Sequence, residues 1–118
     1  MAIDFDHLRR YTGDDDALVA EVLGMFAEQT RMWMRALDPA SDDATWSAAA
    51  HALKGSANTI GARELGELCE RAEEMVGEGD WTPRREWIAG EIASQVATLD
   101  ADIQRWNYAR DMKSMRGG

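Results

Sequence analysis

Residues 46–60 read WSAAAHALKGSANTI. Unrolled at about 100° per residue from Trp46, the residues Trp46, Ala49, Ala50, Leu53, Ala57 and Ile60 all fall within about 60° of one direction. That spacing predicts an amphipathic helix with a core stripe built mainly from small side chains. On the same wheel Lys54 lies near 80°, Asn58 near 120°, His51 near 140° and Gly55 near 180°. The histidine is therefore expected to face solvent, and the glycine stands opposite the core. A glycine inside a helix costs about 1 kcal/mol relative to alanine. Placed where no neighbouring helix of its own bundle can touch it, Gly55 reads either as a tolerated surface glycine beside a chance surface histidine or as clearance for something arriving from outside.

The helix around this stretch is predicted over residues 42–60, with Ser41 as its N-cap and Gly61 at its C-terminal end. Working outward, the punctuation of the chain gives five helices. A short one runs from Asp4, as cap, to about Tyr11, and TGDDD breaks it. The second starts after Asp14, with acids in its first turn where the helix dipole favours them. Its apolar residues Leu18, Val22, Met25, Phe26, Trp33 and Leu37 keep helical spacing. Pro39 ends it. The fourth begins straight after Gly61 with the stripe Leu65, Leu68, Cys69, Ala72, Met75 and Val76, and GEGD closes it. In the fifth, Thr82 is the expected cap and Pro83 the first helical residue. There Ile88, Ile92, Val96, Leu99, Ile103 and Trp106 recur every three or four positions. Beyond Tyr108 the period fades, so residues 1–110 are expected to form one domain and residues 111–118 a frayed tail.

Four amphipathic helices with short connections predict an all-α fold, an antiparallel up-down-up-down four-helix bundle with a short additional N-terminal helix. No segment alternates as a half-buried strand does. The 118 residues have room for one core, and the 45% apolar content is ordinary for a globular chain. A formal charge of −9 argues against a nucleic-acid partner, whose phosphates need a basic surface. Cys69 is the only cysteine, which excludes an intramolecular disulfide and suits a reducing compartment. The opening MAIDFDHLRR lacks the apolar core of a signal peptide, and no apolar run approaches the ~20 residues of a membrane span. A soluble cytoplasmic protein is expected.

Around His51 the surface is kept low. Lys54 stands at i+3 and Gly55 at i+4, while Ala48 at i−3 and Ala52 add little bulk. An unobstructed imidazole on a rigid helix, beside one cation, suits reversible phosphoryl transfer, which asks for positioning and charge neutralisation. Neutral imidazole is also the nucleophile available near pH 7.

His51-Ala-Leu-Lys54-Gly55-Ser56-Ala57, followed by Ile60-Gly61-Ala62 and Leu65, resembles the signature of histidine-containing phosphotransfer (HPt) domains, which relay phosphoryl groups in two-component signalling. The motif covers about fifteen residues, and the helical pattern extends the likeness over most of the chain. The resemblance implies that His51 accepts and donates the phosphoryl group through the ring nitrogen farther from the backbone. It implies that Lys54 steadies the phosphate and that Gly55, with Ala48 and Ala52, clears space for the partner. That partner would be the receiver domain of a response regulator or hybrid histidine kinase, bringing the aspartate and the magnesium ion. This chain would then bind no cofactor or metal itself and would work as a monomer. Where relatives place a glutamine or arginine to help hold the site, this sequence has Glu73 and Gly77 in the nearest register, and neither receives a role. Asn58 is a candidate polar neighbour of the histidine. Members of the family dock receivers with an apolar patch from the first helices; Ile3, Phe5, Leu8, Tyr11, Leu18 and Val22 are the candidates, either for docking or for plugging the end of the bundle.

Two other readings account for less. A histidine kinase dimerisation pair has an acidic residue after its histidine and a proline soon after that; here Ala52 and Leu53 follow, and no ATP-binding segment is present. A non-catalytic helical interaction module explains the bundle but not the conjunction of His51, Lys54 and Gly55. Metal binding finds no support in His7, in Cys69 on its apolar stripe, or in the acids of residues 14–16, which lack the spacing of a calcium loop.

Overall fold

The computed structural model describes residues 2–116, with the backbone alone at Arg116. Helices follow in the order α1 (Phe5–Thr12), α2 (Asp16–Ala36), α3 (Asp43–Thr59), α4 (Arg63–Glu73) and α5 (Thr82–Arg116), and no strand occurs among the described residues. The expected all-α bundle is what forms. Cross-links give its antiparallel sense: moving forward along α3, residues 51 and 54 meet residues 73 and 70 of α4. In the same way Glu64 of α4 meets Gln95 well into α5, while Met75, just past the end of α4, meets Arg85 near the start of α5.

Local chemistry explains where three of the helices start. The carboxylates of Asp4, Asp15 and Asp42 accept hydrogen bonds from the backbone of His7, Leu18 and Thr45 at 3.0, 3.2 and 2.7 Å. Each such cap contributes about 1 kcal/mol. For α3 the cap is therefore Asp42 rather than Ser41, whose hydroxyl is turned back to donate to the Asp38 carbonyl. Likewise α5 begins one residue earlier than expected. The Trp81 carbonyl already accepts from Arg85, and the Asp80 side chain caps Thr82.

The core gathers around α3. Trp46, Ala49, Ala50, Leu53, Ala57 and Ile60 are all fully buried, as the wheel of residues 46–60 requires. The Trp46 indole donates to the Ala72 carbonyl at 2.7 Å, so its one polar atom is satisfied inside the core. The same carbonyl lies in the last turn of α4. The helix ends at Glu73 in a tighter turn, where the Ala72 carbonyl accepts from the Met75 N–H at 3.1 Å as well as from Trp46, and Met75 and Val76, expected on its stripe, pack outside it.

At Gly61 φ is +69°, and a Cβ there would lie 2.8 Å from the Cβ of Asp4. Glycine is needed on both counts, for the left-handed turn out of α3 and for the close seat of α1 upon it. Inside that seat Ile3 and Leu8 are buried, which corrects the docking expectation for both: they plug the end of the bundle. Phe5 is half-buried and stacks on Trp106 of α5 at 6.2 Å.

Two further expectations change. In α2 the buried row is Val19, Leu23, Phe26 and Thr30; of the expected stripe Phe26 and Leu37 are inside and Val22 and Trp33 pack against the core, while Leu18 and Met25 are exposed. The buried threonine disguised this, because it reads as polar while its hydroxyl is spent on the Phe26 and Ala27 carbonyls of its own helix. At the other end α5 does not fray after Tyr108. It continues to Arg116 through a run without glycine or proline, with Arg110 lying over the Trp106 ring. Its 35 residues, about 52 Å at 1.5 Å each, set the 60 Å long dimension of the molecule.

Candidate functional site

The outward side of α3 carries the predicted residues where the wheel puts them. The His51 side chain is 77% exposed. Gly55 has open space on the side a Cβ would occupy, with nothing within 4 Å. Ala48 is exposed and Ala52 half-buried, so no larger side chain of α3 shades the imidazole from that direction.

One contact was not foreseen. Nδ1 of His51 lies 3.5 Å from Oε1 of Glu73 on α4. This oxygen is buried and has no hydrogen-bond donor within normal range among the described residues. A buried carboxylate oxygen without a donor is costly, and the nearest group able to fill it is an Nδ1–H. At 3.5 Å the pair is longer than a formed hydrogen bond, a gap that a small turn of the ring would close. The tautomer favoured by this arrangement keeps the proton on Nδ1 and leaves a lone pair on Nε2. The family resemblance puts Glu73 and Gly77 in the nearest register without a role, and the turn at 60–62 decides that Glu73 comes opposite His51.

Lys54 is also answered from α4. Its Nζ lies 3.9 Å from Oε1 of Glu70, with the stem partly covered. Lys54 and His51 thus share a face, each opposed by a glutamate one turn apart. Asn58 is used differently from the expectation. Its carbonyl is 2.9 Å from Nε2 of His7, and its side-chain oxygen rests on Gly66, where a Cβ would stand only 3.0 Å away. It joins α1, α3 and α4 instead of attending His51.

On the opposite flank, Ser56 donates to Gln29 of α2 at 3.0 Å, which fixes α2 against α3. A small groove beside that bond is lined by Val22, Met25, Phe26, Thr59 and Ile60. Leu18 and Met25, exposed by the phase of α2, lengthen an apolar strip on this helix; Tyr11 of α1 is exposed as well. Of the docking candidates, then, Leu18, Val22 and Tyr11 remain available.

Cys69 lies beneath the site without access to it. Burial raises its thiol to about 12, and the Glu73 carboxylate adds to the effect. Such a thiol is inert near neutral pH. No group of three or more histidine, cysteine, aspartate or glutamate side chains among the described residues is arranged to hold a metal ion.

Comparison with known proteins agrees with the fold. The chain matches the Hpt domain over residues 17–106. Its structure is similar to that of the histidine phosphotransferase ShpA from Caulobacter crescentus, with a TM-score of 0.77 and 30% identity over 98% of this chain and 99% of that one. No curated protein matches.

Proposed function

This chain belongs to the Hpt domain family, and on that premise we propose that His51 is the residue that carries its phosphoryl group, bonded through Nε2. Its role is phosphotransfer within a phosphorelay, the work of a phosphocarrier module and not of a kinase. Hpt domains exchange phosphoryl groups with receiver domains; for this chain the partner would be a receiver of a response regulator or hybrid kinase. No helix among the described residues is long and apolar enough to cross a membrane.

The observation that carries the reading is the buried Glu73 oxygen behind Nδ1 of an otherwise open ring. With the proton held on Nδ1, the Nε2 lone pair attacks the phosphorus of an aspartyl phosphate. The N–P bond forms as the P–O bond breaks, and the aspartate departs as carboxylate with the electron pair. The ring gains one positive charge in this step, next to a carboxylate placed to stabilise it. The arrangement follows the general logic of a nucleophile oriented by a third group. The reverse step returns the phosphoryl group and discharges the ring. Lys54, one turn along, can meet the phosphoryl oxygens. Gly55, Ala48 and Ala52 leave the partner room, and the exposed apolar residues of α2 give it a surface to rest on. The receiver would supply the magnesium ion.

Incubation with phosphorylated receiver domains tests this. The reading expects an acid-labile, base-stable label on the chain. Binding with no label would leave only a helical interaction module.

A further inference from the structure

Resting on the phosphotransfer reading, we infer that Glu70 is a positioning residue that competes with the phosphoryl group for Lys54, and so disposes His51 to give that group away. The two helices place His51 opposite Glu73 and, one turn on, Lys54 opposite Glu70. In the unphosphorylated protein Lys54, one turn from the imidazole, is therefore directed at a carboxylate of α4, with Nζ 3.9 Å from Oε1. Glu70 is largely exposed, so this ion pair is of the weak kind that breaks readily. A lysine side chain has the reach to serve either i−3 on its own helix or a neighbour across the groove. When the phosphoryl dianion is bonded to Nε2, Lys54 has two anions to choose between. Moving to the phosphoryl group gives up the contact with Glu70.

The consequence is thermodynamic. Contact with Glu70 stabilises the empty state, and contact with the phosphoryl oxygens stabilises the loaded state. In the exchange, aspartyl phosphate plus neutral His51 gives aspartate plus phosphohistidine, with the phosphorus moving from oxygen to nitrogen and no proton gained or lost. Glu70 shifts that equilibrium toward the aspartate. Because it is an exposed pair that is lost, the expected shift is about two- to fourfold.

The test is the equilibrium constant for exchange with a purified receiver domain charged by a small-molecule phosphodonor, measured for the wild-type chain, Glu70→Gln, Lys54→Ala and the double variant. Glu70→Gln should raise the equilibrium constant toward phosphohistidine by about two- to fourfold. In the Lys54→Ala background the same substitution should change little, because the residue acts through the lysine. An unchanged constant in Glu70→Gln would overturn the inference. So would an equal shift in both backgrounds, which would mean a direct field on the phosphate. A wild-type chain that never takes the label would sink the phosphotransfer reading itself, a result separable from either of these.

Discussion

Arg85 and His51 are both ionisable side chains flanked by a carboxylate, and the protein treats them in opposite ways. Arg85 is 4% exposed. It donates to the carbonyls of Met75 and Ser41 at 3.0 Å each and to the Asp43 carboxylate at 2.6 Å, with its guanidinium over the Trp46 ring at 4.9 Å. One side chain thereby ties the α2–α3 connection, the α4–α5 connection and the start of α5. His51 has a single close partner and an open flank. The difference teaches how one small bundle divides its work. Where nearly every donor is spent, the result is rigidity; where a ring nitrogen is left unspent over bare backbone, chemistry has somewhere to happen.

The largest effect that would sharpen this contrast is expected from His51→Ala. Phosphotransfer should fall to background while the melting temperature stays close to wild type, since exposed positions shift stability by about 0.5 kcal/mol or less. Failure of this variant to fold would break the comparison, because the histidine would then be structural. Arg85→Ala should do the converse. Unpairing the buried carbonyls it serves should cost about 3 kcal/mol in denaturant unfolding, with transfer at low temperature near the wild-type rate. Should the variant not fold, Arg85→Lys keeps the test open, with a smaller loss because a lysine cannot fork to several acceptors.

Gly55→Gln comes next. Receiver binding should weaken at least about tenfold as a side chain fills the open space beside His51, while helix propensity raises stability by up to about 1 kcal/mol. Undiminished binding would show that the partner does not approach there. The smallest effect concerns Asp43. The Gly77 backbone N–H first, and Arg85 second, hold its carboxyl below the ordinary 3.8. A lowered value contributes stability above about pH 4 that fades as the pH falls through the lowered value. Asp43→Asn should therefore flatten the acid limb of the stability curve and leave phosphotransfer unaltered.

The sequence disclosed these two regions unequally. The exposure of His51 follows from residues 46–60 alone, because a helix with one apolar stripe has only one place for the rest to point. Gly55 and the small residues around it were legible for the same reason. Glu73 was placed in register but without a role, since its closeness to Nδ1 depends on the turn at Gly61 setting α4 against α3. Arg85 was invisible: its partners lie on three separate segments that spacing cannot bring together. In α2, a threonine satisfied by its own helix hides the true core row, so that spacing alone puts the exposed Leu18 and Met25 on the interior stripe. At the N-terminus the reverse holds: Ile3, just before α1, and Leu8 within it, open candidates for docking, are closed within the core.

The most direct test is to locate the phosphoryl group. The uniformly 15N-labelled chain would be phosphorylated by a charged receiver and examined by NMR, with peptide mapping under alkaline conditions. Modification of His51 alone, at Nε2, with the unmodified ring protonated at Nδ1, is the predicted result. A phosphoryl group on His7, or on Nδ1 of His51, would contradict the assignment of an open Nε2 backed by Glu73.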